Sequence, residues 1–189
     1  MNKKILISTG GTGGHVIPAK IFHEHLKNDF KIYISCDRRG SNFLNKEKYD
    51  IKIINTPKLT KNLILLPFKF FLILFLIFKS LFFLKNKKID LMISTGGYMS
   101  LPLCVASKIL GIKIFLFEPN MILGRANRIF LAISEKIFCY SHKIKNFPNK
   151  FKNKILIIEK LLRKEFYSSK KSEDIDKEVN LLIIGGSQG

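Results

Sequence analysis

Acidic residues are scarce in this 189-residue chain: 14 Asp and Glu stand against 33 Lys and Arg, a formal charge of +19. Arginine is scarce too and supplies only five of those positives. A balance so far from neutral points to an anionic partner, whether nucleic acid, a membrane surface or a phosphorylated ligand. Yet Lys, Ile, Asn and Phe are abundant together, as in chains from genomes poor in G and C, so charge alone assigns no partner. The lysines are scattered along the chain instead of being interleaved with aromatics in one stripe, which disfavours nucleic acid. Cysteine is also sparse. Cys36, Cys104 and Cys139 are too far apart for a disulfide framework or a zinc pattern. Their apolar neighbours suit reduced core thiols. No secretory signal is read, because Ile5-Leu6-Ile7 is interrupted at once by Ser8, Thr9 and glycines. A cytosolic compartment is expected, and the 47% hydrophobic content is enough for a core without staples.

What is present is an alternation. Lys4–Ser8, Lys31–Ser35, Ile51–Asn55, Leu91–Ser94, Lys113–Phe117 and Lys136–Tyr140 read as strands. The segments Val16–Asn28, Leu65–Lys85, Ser100–Leu110 and Gly124–Ala132 between them are helix-compatible. This spacing predicts βαβ units, hence an α/β fold: a Rossmann-like, doubly wound parallel sheet with helices on both faces. Ile5-Leu6-Ile7-Ser8-Thr9-Gly10-Gly11 recurs as Leu91-Met92-Ile93-Ser94-Thr95-Gly96-Gly97, and again as Leu181-Leu182-Ile183-Ile184-Gly185-Gly186-Ser187. Paired glycines make tight turns. Three similar loops at the carboxyl edge of one kind of sheet favour ligand binding as well. The third repeat stops at Gly189 before any helix, so the chain is expected to be the first half of a longer protein. The domains expected are residues 1–160, a polar linker over 161–178, and the opening of a second domain at 179–189.

The first loop, Gly10-Gly11-Thr12-Gly13-Gly14-His15, precedes a helix whose positive N-terminal end suits phosphate or pyrophosphate. It lacks the Gly-Lys-Ser/Thr of a Walker loop. It also lacks the third glycine of GxGxxG, whose place is taken by Val16. No acidic residue ends the second strand cleanly, though Asp37 is close, so a dinucleotide site is disfavoured. His15 at the first helical turn is placed to act as a general base, or simply to donate a hydrogen bond to phosphate. His23, His25 and His142 have no matching context and read as surface residues.

These residues carry a resemblance. Gly-Gly-Thr-Gly-Gly-His after the first strand, Gly96-Gly97-Tyr98, Glu118-Pro119-Asn120, Gly124-Arg125-Ala126-Asn127-Arg128 and Gly185-Gly186-Ser187-Gln188-Gly189 resemble the MurG family of N-acetylglucosaminyltransferases. The resemblance implies the N-terminal domain of a GT-B fold. It further implies transfer of GlcNAc from UDP-GlcNAc to the 4-hydroxyl of the muramyl sugar on lipid I, giving lipid II with inversion. By motif, Thr12, Gly13, Gly14, Asn120, Arg163 and Ser187 would contact UDP-GlcNAc. His15 and Glu118 would be the catalytic residues, His15 as the candidate base and Glu118 as its neighbouring acidic residue. Gly11, Gly96, Gly97 and Tyr98 would hold the lipid-linked pyrophosphate. The family's Glu-Gln-Asn is Glu118-Pro119-Asn120 here, and of its Gly-Asn-Pro-Val-Arg only Arg163 remains. No cofactor or metal is implied. The Asp174-Ile175-Asp176 spacing falls in the expected linker. The alternative is a non-catalytic module that binds phosphorylated ligands at a membrane.

Residues Leu63–Leu84 hold 18 apolar residues in 22, interrupted by Pro67, Lys69, Lys79 and Ser80. As a helix they would reach about 33 Å, long enough to cross a bilayer. A crossing would separate the twin Ser-Thr-Gly-Gly loops, so shallow docking on an anionic membrane surface is favoured over a span or a fully buried core helix. Phe71, Phe75 and Phe78 are the expected lipid-facing rings. Lys69, Lys79 and Ser80 fall within about 100° on the helical wheel and are expected to form one polar stripe. The resemblance implies the same placement, peripheral on the cytoplasmic face of the bacterial inner membrane.

Overall fold

A computed structural model describes residues 3–57 and 66–163. The third glycine repeat, Ser187, Asp174 and Asp176, most of the expected linker and the start of the apolar segment lie outside the described residues.

Seven strands form one parallel sheet: β1 Lys4–Ser8, β2 Lys31–Cys36, β3 Ile51–Ile53, β4 Leu91–Ser94, β5 Lys113–Glu118, β6 Lys136–Cys139 and β7 Ile155–Ile157. Their order is β3-β2-β1-β4-β5-β6-β7. β7 was not expected from sequence, because Ile155-Leu156-Ile157 is only three residues and follows a lysine-rich turn. The α-helices are α1 Gly13–Leu26, α2 Arg38–Ser41, α3 Leu66–Lys87, α4 Leu101–Ile109 and α5 Arg125–Phe130.

Both faces of the sheet are covered, and the period of two along β1 shows how. Leu6 packs in one core with Met92, Leu103, Cys104, Leu116, Phe130 and Ile137. Ile5 and Ile7 point the other way, to Ala19 and Phe22 of α1 and to Ile93 and Phe117. A β-branched run apolar at every position is what a strand buried on both faces requires. Cys36, Cys104 and Cys139 are buried free thiols. Burial pushes them up to about 11, about 12 and about 12 respectively.

Chain order reverses at β1, which lies between β2 and β4. Ser8 pairs with Ser35's neighbourhood on one side and with Ser94 on the other. The twin loops therefore leave adjacent strands side by side, at the crevice where open α/β sheets bind ligands.

Two expectations need correction. His23 is buried, not on the surface: it stacks edge-on against Tyr49, 4.7 Å between centroids. The polar stripe on α3 does not exist either. Ser80 is only 1% exposed and donates its hydroxyl back to the Leu76 carbonyl. Ser80, Ile73 and Leu84 make up the buried face of α3, and Leu84 packs in the core with Leu103, Cys104 and Ala106 of α4. A serine whose hydroxyl is spent within its own helix is tolerated at a helix–helix contact, and a wheel drawn from sequence scores it as polar. The opposite face is aromatic, with Phe68, Phe71, Phe75, Phe78 and Phe82 each more than half exposed. By length and composition α3 could cross a membrane, with a mean hydropathy of 2.1. In chain order α3 lies between β3 and β4 of the one sheet, and it packs against α4.

Candidate functional site

The site is built on the two glycine loops. Thr12 caps α1 in an extended conformation and makes no side-chain cap hydrogen bond. The helix starts at Gly13, three residues earlier than the apolar periodicity indicates. Gly13, Gly14 and His15 thus form its first turn; the His15 N–H donates to the Thr12 carbonyl at 3.1 Å, and the amides of Gly13 and Gly14 have no intrahelical acceptor. The loops are fastened to each other through a reciprocal pair: His15 Nδ1 bonds the Thr95 carbonyl at 2.8 Å, and Thr95 Oγ1 donates to the His15 carbonyl at 2.9 Å. A carbonyl only accepts, so Nδ1 is the donor, and in the neutral ring the lone pair is on Nε2. That tautomer is the one a general base needs. Gly96 (φ +96°) lies against the ring: a methyl group on it would come within 3.0 Å of His15 Cε1 and 3.8 Å of Asn127 Nδ2.

Beyond Gly96 the loop after β5 is organised by Glu118, which is only 2% exposed. One oxygen accepts from the Asn120 backbone at 3.3 Å and from its side-chain amide at 2.9 Å. The other accepts from Gly124 N–H at 2.7 Å and Asn127 Nδ2 at 3.0 Å. Both oxygens thus accept from the loop, which ties Asn120 and the start of α5 to the end of β5. Asn127 also donates to the Phe117 carbonyl, and its Oδ1 is buried with no partner among the described residues.

A cavity of about 240 Å³ is lined by Gly10, Gly11, Thr12, His15, Gly97 and Tyr98 together with Asp37, Arg39, Thr56 and Met99. Of the expected residues it brings together Gly11, Thr12, His15, Gly97 and Tyr98, whereas Gly13, Gly14, Gly96, Glu118 and Asn120 are not in its lining. Burial pushes the Tyr98 phenol up. Asp37, Arg39 and Thr56 were not anticipated as site residues. The available signal was the acidic residue directly after β2, set aside because the loop lacks the dinucleotide pattern. Arg163 is elsewhere: it lines a separate cavity of about 260 Å³ along α1 with Ile17, Lys20, Glu24, Lys48 and Tyr49. Among the described residues no group of three His, Cys, Asp or Glu side chains is placed to hold a metal.

The pattern of the glycosyltransferase family 28 N-terminal domain matches residues 5–139. The chain belongs to that family. Over all 189 residues it is 58% identical to the UDP-N-acetylglucosamine–N-acetylmuramyl-(pentapeptide) pyrophosphoryl-undecaprenol N-acetylglucosamine transferase of Pelagibacter ubique (strain HTCC1062), covering 53% of that protein. The enzyme of the same name from Prochlorococcus marinus (strain MIT 9301) is 32% identical, again with all of this chain and 53% of the relative covered. Among solved structures, the crystal structure of Acinetobacter baumannii MurG superposes with a TM-score of 0.74 at 25% identity, covering 99% of this chain and 53% of that one. The family 28 chain thus spans about half the length of the curated relatives it matches. Its parallel sheet with helices is that of the N-terminal domain of a GT-B fold.

Proposed function

We propose that this family 28 domain is the acceptor-binding half of a transferase that moves GlcNAc from UDP-GlcNAc to lipid I in peptidoglycan synthesis. The observation that carries the reading is His15: its Nδ1 is bonded to the Thr95 carbonyl, which leaves Nε2 free, and it lines a cavity walled by both glycine loops. In the proposed mechanism Nε2 takes the proton of the muramyl 4-hydroxyl as that oxygen attacks the anomeric carbon of GlcNAc. UDP leaves from the opposite face, and the configuration inverts. The amides of the first turn of α1 and the loop at Gly96-Gly97-Tyr98 face the diphosphates of the two substrates. Asn120, set by Glu118, would reach the donor sugar nucleotide.

Support for a membrane location comes from α3. Its outward face of phenylalanines, with Lys79 5.5 Å above the Phe75 ring, is suited to shallow insertion among anionic headgroups. Docking there would hold the cavity near a lipid-linked acceptor.

The test is a chimera in which this chain replaces the matching half of the Pelagibacter enzyme. Transfer of labelled GlcNAc to lipid I is expected. In the chimera carrying His15→Ala it should fall by about 10²-fold or more, the usual contribution of a positioned base. Near-normal transfer by that variant removes His15 from the chemistry.

A further inference from the structure

Asp37 stands directly after β2 and is buried, and its Oδ1 accepts from the backbone N–H of both Gly11 and Gly40 at 2.8 Å. The Gly11 amide is therefore already spent, although it belongs to the loop through which a diphosphate was expected to be held. A carboxylate at that point also repels an anion in the cavity unless a cation offsets it. Arg39 is placed to do so. Its Nε lies 3.5 Å from Asp37 Oδ2, and its Nη2 is 3.8 Å from the point that a Cβ on Gly11 would occupy. Both side chains line the same cavity as Thr12, His15 and Tyr98. The contact with Asp37 is single and long, so the two Nη groups, the half of the guanidinium that binds phosphate oxygens in pairs, are left over.

We propose that Arg39, tethered over the first glycine loop by Asp37, is the side chain that grips a diphosphate ester in this cavity. The proposal rests on the reading of the cavity as a diphosphate site, and it changes how that site works. The Gly11 amide supports Asp37, Asp37 supports Arg39, and the arginine together with the free amides of Thr12, Gly13 and Gly14 meets the ligand. A diphosphate esterified to a lipid and one esterified to a nucleoside share this chemistry.

The experiment is calorimetric titration of the 189-residue chain with geranyl diphosphate, UDP-GlcNAc and inorganic phosphate. Four proteins are compared: the parent, Arg39→Gln, Arg39→Lys and Arg38→Gln. Arg38 is exposed, carries the same charge and does not line the cavity, so its variant measures the general effect of one lost positive charge. Arg39→Gln should weaken diphosphate-ester binding by about tenfold or more. Arg39→Lys should fall between it and the parent, and Arg38→Gln should match the parent. The ester that loses more identifies which substrate the cavity holds. Equal affinity in Arg39→Gln and the parent, or equal losses in Arg39→Gln and Arg38→Gln, overturns the role of Arg39 and leaves the diphosphate reading standing. A parent chain that binds neither ester better than inorganic phosphate overturns both.

Discussion

Gly96→Ala is the substitution that most directly probes how the site is built. Two costs add. The backbone at φ +96° is a conformation that a residue with a Cβ adopts at about 1–3 kcal/mol. The new methyl group would also stand 3.0 Å from His15 Cε1 and 3.1 Å from Nδ1, so the imidazole must move. Moving it breaks the 2.8 Å bond to the Thr95 carbonyl, worth about 1 kcal/mol. A total of about 2–4 kcal/mol is expected from urea unfolding. Gly111 supplies the control: it also has positive φ, +69°, but a Cβ there meets nothing within 4 Å. Gly111→Ala should therefore cost only the backbone part, about 1–2 kcal/mol. Proton–nitrogen NMR of the imidazole should show His15 losing its single tautomer in Gly96→Ala and keeping it in Gly111→Ala. In a His15→Ala background the excess cost at Gly96 should vanish, since the coupling partner is gone. If Gly96→Ala is no more costly than Gly111→Ala and the imidazole signals are unchanged, the packing of the second glycine loop against His15 is refuted.

Two more expectations follow from exposed and charged residues. Phe71, Phe75 and Phe78 are 68%, 55% and 58% exposed, so replacing all three with Ser should leave unfolding stability nearly unchanged. At about 1 kcal/mol per inserted ring, the same variant should bind anionic vesicles on the order of a hundredfold more weakly; unchanged co-sedimentation would reject α3 as the docking face. Burial pushes the Glu24 carboxyl up, but hydrogen bonds and charges from Lys27 and Lys48 outweigh it and bring it from an ordinary 4.5 to about 2. A lowered folded value means stability that is complete above about pH 4.5 and lost as pH falls toward 2. Because the two lysines are 40% and 52% exposed, screening limits the effect to about 1 kcal/mol. Glu24→Gln should flatten the stability profile between pH 4.5 and 2, and a profile unchanged by it would show that the pair contributes nothing.

The twin Ser-Thr-Gly-Gly loops were legible because strand pattern and turn chemistry are both local. A β-branched run buried on both faces must lie in a covered sheet, and the glycines must follow it. The first six strands therefore stand where the alternation puts them, with ends shifted by one or two residues. The end of β2 shows where local reading stops. Asp37 looks like a failed dinucleotide residue in the sequence, and only the neighbouring loop reveals what its carboxylate binds. Likewise, only the fold shows that Glu118 accepts from four donors in the loop after β5.

Sequence by itself determined the layer order, the position of both glycine loops and the identity of the histidine between them, because periodicity and turn residues act over a few positions. Tertiary structure alone decided which polar groups are spent: the Gly11 amide on Asp37, both Glu118 oxygens on the loop after β5, and His15 Nδ1 on Thr95. It also decided that α3 turns phenylalanine outward and serine inward. Hydrogen-bond partners 26 and 80 residues apart, and the face a helix buries against its neighbour, depend on packing between elements, and no short window of sequence contains that.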